Sequence, residues 1–262
     1  MSLSIGIDSG STATKGILMS HANGGEILRR FLGPTSFRPQ DTIDEAWLQL
    51  SADLSERPML TLTGYGRALV DYADKQVTEI TCHGVGARFL CPNAHTVIDI
   101  GGQDSKVIHL DTDGSLTDFL MNDKCAAGTG RFLEVISRTL GTEVSLLDKL
   151  VTGVAPHPIS SMCTVFAESE VISLRSAGVA PESILSGIVY AMARRSANFI
   201  GRLGVRPTIL FTGGVSHCDA FRLHLSEALD TEVKTHPDAQ FAGALGAALL
   251  GRRQKKRGLH GG

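Results

Sequence analysis

Short apolar runs alternate with longer segments of helical periodicity along this chain. The runs predict strands at residues 4–7, 16–19, 60–63, 96–100, 107–110, 208–211 and 232–234. Apolar residues that recur on one helical face predict helices over residues 41–54, 79–89, 130–140, 164–177, 181–203 and 239–250. Strands and helices that alternate in this way are typical of an α/β protein.

Two of the predicted hairpins share one sequence pattern. Each has an apolar strand, Asp-x-Gly, a polar turn, a lysine and a second apolar strand, and they run from Asp8 to Lys15 and from Asp99 to Lys106. The same Asp-to-Lys spacing in both predicts an internally duplicated fold with two lobes. We expect residues 1–95 together with 237–251 to form the first lobe and residues 96–236 the second. Residues 252–262 are expected to be a basic, disordered tail.

The polar turns of these hairpins are suited to phosphate binding. A turn rich in glycine and hydroxyl residues offers unobstructed backbone N–H groups, and Lys15 adds positive charge. A plain tight hairpin is the alternative for either one alone. Gly213-Gly214 follows a buried strand and would allow close approach by a flat group such as adenine. The residues expected to contact a nucleotide are Ser11, Thr12, Ala13, Thr14, Lys15, Gly101, Gly102, Gln103, Gly213 and Gly214.

Carboxylates at the strand ends complete this predicted phosphate site. Asp8 and Asp99 are expected to bind Mg²⁺ through water, because this ion prefers oxygen ligands and retains its waters. Gln103 and Asp104 are candidates for positioning the water that attacks the phosphate.

Two cysteines stand at the starts of predicted helices. Cys125 precedes a small-residue turn that leads into the helix at Gly130, and Cys163 directly precedes Thr164. The N–H groups at a helix N-terminus favour a thiolate, which can act as a nucleophile, a redox group or a metal ligand. A buried structural thiol at each position, or a Cys125–Cys163 pair, is the alternative. The remaining cysteines, Cys82, Cys91 and Cys218, are expected to be structural residues.

Composition narrows the functional classes without choosing among them. The chain has 262 residues, 42% hydrophobic and 20% charged, as in ordinary globular proteins. A formal net charge of −2 gives no support for nucleic-acid binding. No apolar run approaches the ~20 residues that span a bilayer. The first residues lack the pattern of a signal peptide, so we expect a cytoplasmic protein without a disulfide framework.

The motifs resemble those of the superfamily that contains the acetate and sugar kinases, Hsp70 and actin. Within it, Ile5–Lys15, Asp99–Asp104, Asn122–Glu134 and Pro237–Gln240 are similar to the BadF/BadG/BcrA/BcrD ATPases, and most of all to the activators of 2-hydroxyacyl-CoA dehydratases. The resemblance implies a duplicated two-lobe ATPase fold of the ribonuclease H-like type. It also adds Gln240 to the expected nucleotide contacts.

The resemblance further implies an ATP-hydrolysing electron carrier. A 4Fe–4S cluster takes four thiolates. Cys125 and Cys163 from each subunit of a homodimer would supply them, giving one cluster per dimer. Such a protein would use ATP and Mg²⁺ to deliver a low-potential electron to an iron–sulfur partner that resembles a 2-hydroxyacyl-CoA dehydratase or an acyl-CoA reductase. Ferredoxin or flavodoxin would be the electron donor.

Two other functions are compatible with the same motifs. One is a small-molecule kinase of the N-acylglucosamine type, in which Asp104 would be the base and neither Cys125 nor Cys163 would have a role. The other is a non-catalytic nucleotide-binding assembly protein. An iron–sulfur cluster would distinguish the electron carrier from both.

Overall fold

The computed structural model describes residues 2–161 and 163–252. It divides the chain into two compact units. Unit 1 contains the residues up to Cys82 together with those from Gly243 onward, and unit 2 contains His83–Ala242. Apart from Arg252, the tail predicted at 252–262 lies outside the described residues. No helix in the described part of the chain is long and apolar enough to cross a membrane.

Ten strands and eight α-helices make up the two units. The strands are β1 (Leu3–Ser9), β2 (Ala13–Ser20), β3 (Glu26–Pro34), β4 (Met59–Gly64), β5 (Lys75–Gln76), β6 (Thr96–Ile100), β7 (Ser105–Leu110), β8 (Leu116–Asn122), β9 (Ile209–Thr212) and β10 (Val233–Lys234). The helices are α1 (Pro39–Ser51), α2 (Glu79–Leu90), α3 (Gly130–Thr139), α4 (Leu147–Val151), α5 (Thr164–Ser176), α6 (Pro181–Ile200), α7 (Asp219–Leu229) and α8 (Ala242–Leu250). These counts refer to the described residues.

The two units contain the same sheet. Its strand order is β3-β2-β1-β4-β5 in unit 1 and β8-β7-β6-β9-β10 in unit 2. In both sheets the two pairs on the hairpin side are antiparallel and the two remaining pairs are parallel. Asp8 lies opposite Lys15 and Asp99 opposite Lys106. The duplication predicted from the sequence is confirmed in both topology and register.

Each unit forms a hydrophobic core between one face of its sheet and helices, and in unit 1 helix α8 lies against the other face, at Gly6 of β1. In unit 1, Ile5 and Ile7 of β1 pack with Ile43 and Leu50 of α1. In unit 2 the corresponding core contains side chains of β6, β7 and β9 together with α3, α5, α6 and α7. Side chains alternate between the faces of a strand. Asp8 therefore points away from the face that α1 covers.

Helix α8 packs closely on α2 at Gly246. A Cβ atom at this position would overlap the carbonyl oxygen of Cys82. The neighbour is backbone and cannot rotate away, so the position requires glycine. Burial raises the pKa of the Cys82 thiol to about 12. Its predicted role as a structural residue agrees with this environment.

Several elements and boundaries differ from those that the sequence pattern predicts. Strands β3, β5 and β8 and helices α4 and α7 are not among the predicted elements, and α8 begins at Ala242 because residues 239–241 form a 3₁₀ turn. The division into compact units falls at residues 82/83 and 242/243, whereas the sequence pattern places it at 95/96 and 236/237. The first division lies within α2, whose continuous periodicity gives no sign of a domain boundary.

Candidate functional site

The carboxylate of Asp99 lies in a buried polar environment near the end of β6. Its Oδ1 accepts a hydrogen bond from Thr212 Oγ1 at 2.8 Å and lies 3.2 Å from His83 Nδ1. Its Oδ2 lies 3.5 Å from Lys106 Nζ. Burial alone would raise the pKa of Asp99, but the charges of His83 and Lys106 and hydrogen bonds from His83 and Thr212 hold it well below its usual range. The group is therefore ionised at neutral pH.

Lys106 also binds the second acid of the same hairpin. Its Nζ lies 2.7 Å from Asp104 Oδ2, and the side chains of Lys106 and Asp104 are 3% and 8% exposed. Two buried carboxylates thus share one buried ammonium group. The Asp104 carboxylate, predicted as a candidate to position water, is held in this pair, while Gln103 in the same turn is exposed.

Backbone hydrogen bonds join the turn between β6 and β7 to the first turn of α3. The N–H of Gly130 donates to the carbonyl of Gly101 at 2.8 Å, and the N–H of Arg131 donates to that of Gly102 at 2.9 Å. The hydroxyl of Ser105 donates to the carbonyl of Gly128 at 2.5 Å. The N–H groups of a first helical turn have no partner within the helix. At the start of α3, two of them donate to carbonyl groups of the predicted phosphate loop instead.

The Gly213 turn lies beside the same loop. Gly213 has a φ of 86°, and a Cβ there would overlap the backbone oxygen of Ile100, so the close approach and the left-handed conformation both require glycine. Gly214 is exposed in the 3₁₀ turn that follows. Gln240 is linked to this turn, because its Oε1 lies 3.0 Å from His217 Nε2. The structure therefore places Gln240, an expected nucleotide contact, beside the Gly213-Gly214 turn.

The hairpin of unit 1 presents a related set of groups. Asp8 is buried, and its Oδ2 lies 3.6 Å from Lys15 Nζ. Thr35 braces the turn, since its hydroxyl donates to the Gly10 carbonyl at 2.7 Å and its N–H donates to the Thr12 carbonyl at 3.0 Å. The predicted residues divide by exposure into Ser11 and Thr12, which are exposed, Ala13 and Lys15, which are half-buried, and Thr14, which is buried.

Cys125 is exposed in the loop between β8 and α3. It immediately precedes a short 3₁₀ turn, Ala126–Gly128, and α3 begins only at Gly130. The side-chain amide of Asn122 donates to the Cys125 carbonyl at 3.3 Å. The predicted position before a helical turn is confirmed, and the alternative of a buried thiol is wrong.

Cys163 is exposed at the N-cap of α5. The preceding loop is fixed by Glu170, whose carboxylate accepts hydrogen bonds from the N–H and hydroxyl of Ser160 and from the N–H of Ser161, at 2.8–2.9 Å. Burial tends to raise the pKa of Glu170, but these bonds lower it to about 2. All five cysteines are free thiols, so the alternative of a Cys125–Cys163 disulfide is also wrong.

Helices α3 and α5, which follow the two exposed cysteines, pack together. The hydroxyl of Thr139 donates to Glu168 Oε1 at 3.1 Å, and Arg175 Nη1 donates to the Thr139 carbonyl at 2.9 Å. In the part of the chain that is described, no group of three or more His, Cys, Asp and Glu residues is placed to hold a metal ion.

Three polar partners of Asp99 and Asp104 are not among the predicted site residues. Thr212 and His83 come from elements remote in sequence, and Lys106 enters the sequence pattern only as the residue that ends the hairpin. His83 stands four residues after Glu79 in α2, a spacing that suggests an intrahelical pair, and the structure places its Nδ1 3.2 Å from Asp99 Oδ1. The repeated Thr-Gly at 63–64 and 212–213 was the available signal for Thr212, because both threonines lie opposite a hairpin aspartate.

Comparison with known proteins gives consistent matches over almost the whole chain. The model of the BadF/BadG/BcrA/BcrD ATPase family matches residues 5–251. The uncharacterized protein YjiL of Escherichia coli is 69% identical, over 98% of this chain and 100% of that protein. The (R)-2-hydroxyglutaryl-CoA dehydratase activating ATPase of Acidaminococcus fermentans is 46% identical, over 94% of this chain and 95% of its own.

A solved structure shows the same fold. The activator of the 2-hydroxyisocaproyl-CoA dehydratase from Clostridium difficile, with bound ADPNP, is 39% identical with a TM-score of 0.88. The match covers 95% of this chain and 94% of that one. Together with the repeated sheet, it confirms the predicted fold class, a duplicated two-lobe ATPase fold of the actin and sugar-kinase type.

Proposed function

The chain belongs to the BadF/BadG/BcrA/BcrD ATPase family, and from this premise we propose that it is an ATP-hydrolysing iron–sulfur protein. Its task would be to deliver a low-potential electron to a partner that resembles a 2-hydroxyacyl-CoA dehydratase or an acyl-CoA reductase. The support from relatives is that one is named a dehydratase activating ATPase and another is named as a component of benzoyl-CoA reductase. Ferredoxin or flavodoxin would supply the electron.

One observation carries this proposal. The turn that carries Gly101 and Gly102 is hydrogen-bonded to the first turn of α3, and the exposed Cys125 lies in the loop that leads into that turn. The loop proposed to bind phosphate and an exposed thiol are therefore joined by a few backbone bonds. The connection gives the exposed thiol a physical link to the proposed nucleotide site, which the electron-carrier function can use and to which the kinase alternative assigns no role.

At the nucleotide end, the backbone N–H groups of Gly102 and Gln103 would bind phosphate, and Gly101, whose own N–H donates to the Asp104 carbonyl, would lie against it in the same loop. Gly213, Gly214 and Gln240 would lie against the adenine. The hairpin of unit 1 offers Ser11 to Lys15 for the same purpose. Asp99 is held ionised, which fits a hard cation that prefers carboxylate oxygens, and Asp8 and Asp99 would hold Mg²⁺ through water. When bound, Mg²⁺ neutralises charge on the phosphates.

Exposure of the thiol distinguishes the cysteines that could bind an iron–sulfur cluster. Cys125 and Cys163 are exposed at the starts of helical turns. Cys82 and Cys218 are buried, and burial raises the pKa of each thiol to about 12, which disfavours the thiolate that a metal requires. Since four thiolates are needed, a second copy of the chain would complete the ligand set. A 4Fe–4S cluster, when bound, supplies one-electron redox chemistry.

The chain's own residues suggest how the two ends communicate. If nucleotide binding moved the carbonyl groups of the phosphate loop at residues 101–102, the N–H groups of Gly130 and Arg131 that donate to them would move as well. Helix α3, which begins at these residues, would then tilt. Helix α3 contacts α5 at Thr139 and Glu168, so the movement would reach the helix that follows Cys163 as well. Both exposed thiols would then change position with the nucleotide state. Such a two-state element is the physical requirement for coupling.

Strictly anaerobic purification followed by iron and sulfide analysis tests the cluster. About four of each per dimer are expected for one cluster. Cys125→Ser and Cys163→Ser should each lose the iron while retaining ATP binding, and Cys91→Ser serves as the control that keeps both. Full iron content in the Cys125→Ser protein would refute the ligand assignment.

The activator role has its own test. Reduced protein should be oxidised when ATP and a 2-hydroxyacyl-CoA dehydratase component are added together, and not when either is omitted. ATP-dependent phosphorylation of N-acylglucosamine by an iron-free monomer would instead establish the kinase.

A further inference from the structure

His83 is a buried side chain of α2 that faces the candidate nucleotide site. Its side chain is 7% exposed, and its Nδ1 lies 3.2 Å from Asp99 Oδ1. It lies just after the position at which the chain passes from unit 1 to unit 2. Nothing in the proposed function so far gives this residue a role.

The contacts of Asp99 show what His83 contributes. Oδ1 is contacted by His83 and by Thr212, and Oδ2 faces Lys106 at 3.5 Å. Lys106 is closer to Asp104, at 2.7 Å, and its 3.5 Å hydrogen bond to Oδ2 is the longest of these three contacts of the Asp99 carboxylate. The orientation of the carboxylate plane is therefore set mainly from the Oδ1 side.

The two contacts on Oδ1 come from different elements. Thr212 ends β9, the strand next to β6, and its hydrogen bond across the sheet restrains Oδ1 towards β9. His83 belongs to α2, so its contact restrains rotation of the same group towards the helix. Thr212 and His83 both contact Oδ1, so Oδ2 of Asp99 is in contact with neither of them.

We infer that His83 is a positioning residue for ATP hydrolysis, which orients the Asp99 carboxylate so that Oδ2 is presented to the phosphate loop. The inference rests on the proposed function, because it takes Asp99 to serve a bound nucleotide. His83 would act through Asp99 and touch neither phosphate nor metal. Its loss should affect the rate of hydrolysis and the requirement for Mg²⁺ more than the binding of the nucleotide itself.

Asparagine and glutamine provide a sharp pair of substitutions. The side-chain amide nitrogen of Asn occupies about the place of Nδ1 in histidine, whereas that of Gln occupies about the place of Nε2. His83→Leu should lower kcat of ATP hydrolysis about 10- to 100-fold, as is usual when a residue that orients a metal-binding group is lost, with KM little changed. His83→Asn should restore most of the rate, and His83→Gln should not.

A second readout does not depend on turnover. Binding of a fluorescent ATP analogue is followed while Mg²⁺ is titrated. We expect His83→Leu to need about tenfold more Mg²⁺ for half-maximal binding, within the range for the loss of such an orienting contact. Binding without Mg²⁺ should be unchanged. His83→Asn should again resemble the wild type.

His109 is the matched structural control. It is a buried histidine of the neighbouring strand β7, and its Nε2 lies 3.1 Å from the Gly204 carbonyl, away from Asp99. His109→Leu should lower the melting temperature while leaving kcat and the Mg²⁺ midpoint of the folded protein unchanged.

Three outcomes would overturn the inference. The first is equal kcat for His83→Asn and His83→Gln, a comparison that remains available if the leucine variant does not fold. The second is a loss of rate in His83→Leu that His109→Leu also shows at the same loss of stability. The third is normal hydrolysis by Asp99→Asn, which would remove Asp99 from the proposed function itself. Loss of hydrolysis in Asp99→Asn with none in His83→Leu refutes the positioning role alone.

Discussion

Replacing Lys106 with methionine tests the charge balance of the hairpin in unit 2. Methionine keeps much of the length of the side chain and removes its charge. The side chains of Lys106, Asp99 and Asp104 are all less than a tenth exposed, so the two carboxylates would lose their shared cation in a poorly solvated site. Removing one partner of a buried ion pair leaves an uncompensated charge, and we expect a loss of about 3–5 kcal/mol in the free energy of unfolding at pH 7.

Solvent exposure sets this magnitude. Arg138 forms an ion pair with Glu134 at 2.9 Å, but its side chain is 74% exposed. Exposed pairs contribute about 0–1 kcal/mol. Arg138→Met is therefore the control, and it should unfold within about 1 kcal/mol of the wild type.

The pH dependence provides a stricter test. In the wild type, burial raises the pKa of Asp99, but His83 and Lys106 hold it well below its usual range. Asp99 thus contributes stability above its unfolded pKa of about 4, and the contribution is lost as the pH falls through the lower folded value. Without Lys106, one of the two charges that lower this pKa is lost, so we expect the folded pKa of Asp99 to rise. Ionised Asp99 then contributes less stability, and the variant should gain less stability than the wild type as the pH rises from acid towards neutral.

Urea unfolding followed by circular dichroism measures the change, at pH values from 4 to 7. Trp47, the single tryptophan of the chain, reports unit 1 separately through its fluorescence. The gap in free energy of unfolding between the variant and the wild type should be smaller near pH 4 than near pH 7. The double variant K106M/D104N should recover part of the loss. A K106M protein within about 1 kcal/mol of the wild type at pH 7 would show that these charges are screened, and the reasoning would be refuted.

Three further substitutions test other parts of the structure. Gly246→Ala gains about 1 kcal/mol of helix propensity. It forces a Cβ against the backbone of Cys82, at an overpacking cost of about 1–3 kcal/mol, so the urea midpoint should fall rather than rise. Glu170→Gln should speed hydrogen exchange at the Ser160 amide, and in the wild type the same protection should be lost only as the pH falls towards 2. Ser105→Ala leaves a buried carbonyl without its donor and should lower the free energy of unfolding by about 1–3 kcal/mol, measured in urea.

The hairpins could be predicted because their determinants are local. An aspartate at the end of an apolar strand, a glycine-rich turn and a lysine fix both the turn and the register, and the structure has Asp8 opposite Lys15 as the pattern indicates. Strands β3 and β8 lie at sheet edges, and more than half of the residues of β8 are exposed. Their apolar residues do not form a buried run, so only the neighbouring strand identifies them as strands.

The site was predicted as far as its residues are neighbours in sequence. Asp99 and the loop after it could be recognised from one stretch of chain. Thr212 is 113 positions away and meets Asp99 only because β9 pairs with β6. His83 reaches Asp99 through the packing of α2 on the sheet, and helical periodicity shows a buried face without showing which side chain lies opposite.

The two hairpins have the same strand register but differ in the number of acidic side chains around their lysine. Asp104 of the second hairpin occupies the position that Ala13 occupies in the first, counted from the aspartate of each. The lysine of the first hairpin has one acidic neighbour and is 16% exposed, whereas that of the second is enclosed by two. Two halves with identical hairpins would be symmetric in their electrostatics. This one difference in residue type removes that symmetry, because it leaves a more accessible cation in unit 1 and a carboxylate locked against its cation in unit 2.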